Sequence, residues 1–154
     1  MAANAPTKTI IYNSRYRHQV DAQRRVQVPS MWRPLESDVE FTLIRWPKHP
    51  AGVCLRVLPP KEMAELMAKL DEMPNSDPNK GYLKRYIGDE SIQVALDKAG
   101  RICIPDEMAK DAGIEKEAVF AGRLDYFEIW NPDRIKTVKT ADAGREHAAF
   151  DMME

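Results

Sequence analysis

Apolar and polar positions alternate through Arg15-Tyr16-Arg17-His18-Gln19-Val20, a period of two that predicts a half-buried strand. Val26 and Val28 resume the alternation beyond a short polar turn, and Pro29 stops it. Ser30 then stands as N-cap of one helical turn carrying Trp32. Phe41–Trp46 and Val53–Leu58 read as strands by residue type. Pro59-Pro60 opens a helix whose Met63, Leu66, Met67, Leu70 and Met73 form one apolar stripe, and Pro74 ends it. Such a methionine-rich stripe serves either core or subunit packing, or an adaptable groove. Asp77-Pro78 starts a second helix with Tyr82, Leu83, Tyr86 and Ile87 on one face and Gly88 as its C-cap. Period-two alternation returns at Ile92, Val94 and Leu96, and again at Ile102 and Ile104 before Pro105. Asp106 caps a short helix ended by Gly113, Ala118–Ala121 and Phe127–Trp130 are strands, and Asn131-Pro132 opens a last helix.

The plan is therefore written twice. Val20-Asp21-Ala22-Gln23-Arg24-Arg25-Val26-Gln27-Val28-Pro29 recurs 76 positions later as Leu96-Asp97-Lys98-Ala99-Gly100-Arg101-Ile102-Cys103-Ile104-Pro105. Both copies run apolar, Asp, three residues, Arg, apolar-x-apolar, Pro, which marks a duplicated strand–turn–strand unit. The break between the halves falls at Asn75-Ser76-Asp77-Pro78. The expected division is a flexible tail over residues 1–9, a first half over 10–74, a second over 75–140, and a frayed or partner-docked tail over 141–154.

Composition narrows the class. The 154 residues, 44% hydrophobic and 31% charged, can bury a core without disulfides. No apolar run reaches the roughly 18 residues of a membrane span, and no signal peptide is visible at the N-terminus. Cys54 and Cys103 make neither a disulfide framework nor a metal cluster, which points to a reducing cytoplasm. His18, His49 and His147 share no metal-ligand spacing, and neither a Gly-rich phosphate loop nor a nucleophile elbow is present. Neither an enzyme nor a cofactor is expected. The formal net charge of −1 hides an asymmetry. Met1–Leu35 holds six Lys or Arg against one acid, and Asp106–Glu154 holds seven against twelve. A basic front suits a polyanion, although unevenly charged solvated surface gives the same count.

Three residues turning a corner bring Asp and Arg together at the hairpin mouth. The aspartate can accept loop N–H groups and hold the guanidinium. Gly100 supplies the positive φ that such a turn wants, whereas Arg24 in the same place costs about 1 kcal/mol or forces another turn shape. A projecting arginine can be a surface salt bridge of little consequence. It can also be a fork for phosphates and guanine edges. The repetition, and the nearby Arg15, Arg17, Arg24 and Lys98, favour the second use.

Tyr16-Arg17-His18-Gln19-Val20-Asp21-Ala22, the paired Asp-x-x-x-Arg turns and Phe127-Glu128-Ile129-Trp130 resemble the MraZ family over roughly Ile11–Arg134. The resemblance implies a mainly β, α+β fold with short helices: a duplicated AbrB-like swapped-hairpin β-barrel with a pseudo-twofold inside one chain. It implies a cytoplasmic, nucleoid-associated regulator that binds short direct repeats in promoter DNA of the division and cell-wall gene cluster, its own promoter included. It also implies a ring-shaped homo-oligomer, with no cofactor and no membrane. Carried over by motif, Asp21 with Arg25 and Asp97 with Arg101 fill the two copies, and Arg25 and Arg101 lead the DNA contacts. By their charge, Arg15, Arg17, Arg24 and Lys98 are expected to support them, and by turn chemistry Asp21, Asp97 and Gly100 to stabilise the turns. Arg24 departs from the family's usual Gly, and the segment before Tyr12 is longer than its typical start. The alternative is a ring-forming interaction protein in which DNA binding is lost or secondary.

Overall fold

The computed structural model describes residues 9–154, so the tail expected over residues 1–9 lies, but for Thr9, outside the described residues. The fold is mixed α+β, with antiparallel strands and short helices. In chain order the strands are β1 (Arg15–Gln19), β2 (Arg25–Gln27), β3 (Glu40–Trp46), β4 (Cys54–Leu58), β5 (Ser91–Ala95), β6 (Arg101–Cys103), β7 (Glu117–Gly122) and β8 (Phe127–Trp130). The helices are α1 (Pro60–Glu72), α2 (Pro78–Asp89), α3 (Asp106–Asp111), α4 (Pro132–Ala143) and α5 (Glu146–Asp151), and a 3₁₀ turn covers Ser30–Trp32.

Six strands form one sheet in the order β1-β7-β8-β4-β3-β5, and β2 pairs with β6 in a separate two-stranded ribbon. The order is a palindrome under exchange of the two halves. Tyr16 opposes Phe120 where Ile92 opposes Leu43, and Phe120 opposes Ile129 where Leu43 opposes Val57. Each half thus hydrogen-bonds its first strand to the other half's third, which is the swapped arrangement. The pseudo-twofold passes between Val26 and Ile102 in the ribbon and between Arg56 and Glu128 in the sheet. No hydrogen-bonded closure joins β1 to β5 among the described residues. The barrel expected from the resemblance is instead an open sheet whose core is covered by the ribbon. Val26, Val28, Ile102 and Ile104 pack in one cluster with Leu43, Leu55, Phe120 and Phe127. Trp32 is fully buried among Tyr12, Tyr16, Phe120 and Phe127.

Helix ends differ from expectation in places. α2 continues through Gly88 to Asp89 and caps on Glu90, because Glu90 N–H bonds to Tyr86 O and no left-handed residue is needed at 88. Ser30 and Asp106 are first residues of their turns, and Pro29 and Pro105 hold the N-cap positions without a side-chain bond. α4 runs past Val138 to Ala143, and α5 follows it, although α5 buries nothing. The methionine stripe of α1 packs inside the chain: Met63, Leu66, Leu70 and Met73 meet Ile44, Leu58, Leu83 and Ile87, and Met67 stays exposed.

Gly122 fixes the N-terminal segment onto the sheet. Its N–H donates to Ser14 O at 3.0 Å, and beside it Tyr12 and Leu124 exchange backbone bonds at 2.9 and 2.8 Å. A Cβ at this position would overlap the Tyr12 carbonyl, a backbone group that cannot swing aside. Gly122→Ala should therefore lower the unfolding free energy by about 1–3 kcal/mol in a denaturant titration. An unchanged midpoint would show that the Tyr12 segment contributes nothing to stability.

Candidate nucleic-acid interface

The ribbon is two-faced because successive strand side chains alternate. Val26 and Ile102 point into the core, with 1% and 0% exposure. Their neighbours Arg25, Gln27, Arg101 and Cys103 lie on the outer face, in the register Arg25↔Cys103 and Gln27↔Arg101. One three-residue strand from each half thereby brings Arg25 and Arg101 onto one surface as diagonal neighbours, about 7–8 Å apart at the backbone.

The two turns have the same construction. Asp21 Oδ1 accepts the backbone N–H groups of Gln23 (2.9 Å) and Arg25 (2.8 Å), and its Oδ2 accepts Arg25 Nε at 2.8 Å. Asp97 repeats this with Ala99 (2.9 Å), Arg101 (2.9 Å) and Arg101 Nε (2.9 Å). Those bonds, the backbone ones first, hold both carboxyls below the ordinary aspartate value, so both are ionised at neutral pH. Arg101 Nη1 also lies 4.0 Å from Asp21 Oδ2, which ties the second turn to the first. Each aspartate occupies the Nε of its arginine and leaves Nη groups for an outside acceptor. The side chains of Arg25 and Arg101 are about one-third exposed, at 35% and 32%. They are held yet reachable, which is the condition for a preorganised anion or base-edge contact.

The other expected contacts are placed unequally. Arg15 and Lys98 are exposed, with no ion-pair partner among the described residues. Arg17 is exposed but bound to Glu117 through Nε (2.9 Å) and Nη2 (2.5 Å), so much of its charge is answered within the chain. Arg24 is half-buried. Its φ of 60° matches the 77° of Gly100, and the backbone bond from residue 24 to Asp21 O (2.9 Å) matches that from Gly100 to Asp97 O (2.9 Å). The first turn thus keeps the standard shape and accepts the left-handed strain of about 1 kcal/mol. Its guanidinium turns back to Ile104 O (3.1 Å) and stands 3.7 Å from Asp106 Oδ1.

Sequence reading passed over Arg33, Gln27 and the exposure of Cys103. Arg33 Nε donates to Val28 O at 2.8 Å, and its guanidinium fills the space a side chain at Gly100 would need. Gln27 Nε2 donates to Ala99 O at 2.5 Å, and its pseudo-symmetric counterpart Cys103 contacts Gln23 O at 3.5 Å. The available signal was the alignment of the copies, which sets Arg33 against Ala109 where Arg24 stands against Gly100.

His18 flanks this region on β1. Its Nε2 has no hydrogen-bond partner, and its ring meets Phe120 edge-on at 5.7 Å. Burial, then the charge of Arg33, lower its pKa below the ordinary imidazole value. The unfolded chain therefore binds the proton more readily between the folded value and about 6.5. Stability should fall as pH drops below about 6.5, level off below the folded value, and stay flat through His18 above pH 7. Denaturant midpoints at pH 7.5 and 5.5 test this against His18→Phe, which should flatten the profile. An equal slope in both proteins would remove His18 as the cause.

Comparison with known proteins supplies the wider setting. A family model described as "MraZ protein, putative antitoxin-like" matches residues 89–150. A transcriptional regulator MraZ from Lachnoclostridium phytofermentans is 32% identical over 126 residues, covering 80% of this chain and 84% of that protein. One from Thermomicrobium roseum is 30% identical over 125 residues, covering 80% and 83%. One from Rickettsia rickettsii is 28% identical over 127 residues, covering 82% and 85%.

Proposed function

The chain belongs to the MraZ family, and we propose on that footing that it is a DNA-binding transcriptional regulator whose outer ribbon face is the DNA-reading surface. One observation carries the reading: two Asp-braced arginines, one from each half, share an exposed face with their Nη groups unclaimed by their own aspartates. A two-stranded ribbon fits the major groove, and arginine is the side chain that most often reads guanine there. The backbone separation of Arg25 and Arg101, about 7–8 Å, is near two base steps of ~3.4 Å. Arg15 and Lys98 add charge for phosphates, which position without specifying.

The finer reading follows from the same family. The chain acts in the cytoplasm on the nucleoid and forms a ring-shaped homo-oligomer. It binds direct repeats in promoter DNA of the division and cell-wall cluster, its own promoter included. A net charge of −1 and two tips per chain give little affinity singly, so several chains on successive repeats supply it by avidity. No helix among the described residues is long and apolar enough to cross a membrane.

The test is a mobility shift of the full chain on duplex DNA from upstream of its own gene, run across a salt series. The expected result is retardation that weakens as salt rises, with a log–log slope near −0.9 per phosphate neutralised. Absence of any salt-sensitive shift would sink the reading and favour an interaction protein without DNA binding.

A further inference from the structure

A guanidinium stands behind each of the two turns, and the two come from different parts of the chain. Behind the first turn it belongs to the turn itself: Arg24 O accepts from Ile104 N–H at 2.9 Å, and Arg24 Nε donates back to Ile104 O at 3.1 Å. Behind the second turn, Gly100 O accepts from Val28 N–H at 3.0 Å, but the donor to Val28 O is Arg33 Nε at 2.8 Å. Val28 and Ile104 are equivalent in the duplication, as are Arg24 and Gly100. The same carbonyl therefore receives the same group at both sites.

The exchange accounts for the unequal turn residues. A Cβ at Gly100 would lie 2.5 Å from Arg33 Cζ and Nε and 2.7 Å from Nη1, so that socket is already filled. On the other side the residue aligned with Arg33 is Ala109, buried in α3 at 3% exposure, and it offers no guanidinium. Arg24 fills that socket from the turn. Its charge is faced by Asp106, which also holds Lys110 at 3.2 Å. Both guanidinia spend Nε on the backbone carbonyl of the residue just past a ribbon strand, Ile104 or Val28, whereas Arg25 and Arg101 spend theirs on the turn aspartates. The extra arginine of the first turn thus stands where Arg33 stands behind the second.

From this pairing we propose that Arg24 and Arg33 are positioning residues: each braces one turn from behind through the carbonyl of residue 104 or 28, and neither touches DNA. The proposal rests on the reading of the turns as DNA-contacting. Residue 28 donates its N–H to Gly100 and gives its carbonyl to Arg33, so loss of Arg33 loosens the strand end that holds the second turn. A loosened tip binds more weakly because the ordering must then be supplied on binding.

The experiment compares wild type, Arg33→Ala, Gly100→Arg and the double variant Gly100→Arg/Arg33→Ala on the same upstream duplex. The double variant rebuilds the second turn in the form of the first. Arg33→Ala should weaken binding about tenfold, the effect of losing one hydrogen bond from a charged donor, with the salt slope unchanged. Gly100→Arg alone should weaken it at least as much, since two guanidinia then compete for one socket. The double variant should recover to within about threefold of wild type. Thermal melts of all four proteins confirm that each is folded at the assay temperature. A salt slope shallower by about one in Arg33→Ala would make Arg33 a phosphate contact and overturn the proposal. So would an unchanged affinity, or a double variant no better than the singles. Failure of wild type to bind removes the DNA reading itself; wild-type binding without recovery removes only the brace.

Discussion

Replacing Arg25 and Arg101 together by alanine should raise the dissociation constant for upstream DNA by about 100-fold or more, while the protein stays folded. Each arginine is expected to contribute a base-edge or phosphate fork worth about 1–3 kcal/mol, and tenfold in affinity is about 1.4 kcal/mol. In the ring proposed above, repetition would multiply the loss, because every chain would present the same weakened pair. Stability should change by no more than about 1 kcal/mol, since partly exposed ion pairs contribute little. The turns should also survive. Asp21 Oδ1 and Asp97 Oδ1 keep their two backbone N–H bonds each, and neither needs the arginine side chain. Single variants separate the roles. An arginine that contacts only phosphate lowers the salt slope by about one and weakens all sequences alike. One that reads a base loses discrimination at a single position of the repeat. Mobility shifts on the upstream duplex and on a scrambled duplex distinguish these. An unchanged shift for the double variant in a folded protein would move the DNA surface elsewhere on the molecule.

The turns were legible in the sequence because their chemistry is local. Asp21 and Arg25 are four residues apart, and the carboxylate that accepts the loop N–H groups also holds the guanidinium. The strand periods were legible for the same reason, and the palindromic sheet answers to the duplication. What periodicity could not give was who pairs with whom. Arg17 meets Glu117 across 100 positions, and Thr42 meets Gln93 across 51; nothing in the alternation of β1 or β3 carries that information. The swapped order came only through family likeness. Where the Arg24 side chain goes was not legible either, because the carbonyl of Ile104 that it meets is 80 residues away. Gly88 was misjudged because a glycine near a helix end reads as a stop, whereas the Glu90 N–H to Tyr86 O bond carries α2 past it.

Glu128→Ala should be the most destabilising single change at the other end of the pseudo-twofold, costing about 3–5 kcal/mol. In a duplicated chain the axis sets a position against its own copy, so an identical charged residue there would face itself. Here the pair is Arg56 and Glu128, unlike residues that only a fused duplication can place together. Glu128 is 4% exposed. Its Oε2 accepts Arg56 Nε at 3.2 Å, its Oε1 accepts Trp130 Nε1 at 3.1 Å, and Arg123 Nη1 stands 3.5 Å away. Burial and the Glu128 charge push the Cys54 thiol up, so it stays protonated and donates to Glu128 at 3.8 Å. Arg56 lies on the Trp46 ring at 3.8 Å, with its charge turned to the carboxylate. Without Glu128, the partly buried Arg56 guanidinium and the Trp130 N–H both lose their acceptor, while Arg123, 53% exposed, keeps water. A loss of that size is a large share of a stability of about 5–15 kcal/mol, and the measurement is a denaturant titration at pH 7. The double variant Arg56→Leu/Glu128→Leu should recover most of the loss, because apolar replacement of a buried pair removes its desolvation cost together with its attraction. Whatever fraction of Glu128→Ala remains folded should bind DNA as wild type does, since the ribbon lies at the opposite crossing of the axis. A double variant as unstable as the single would show that stability at this site depends on the pair itself and not on the stranded guanidinium.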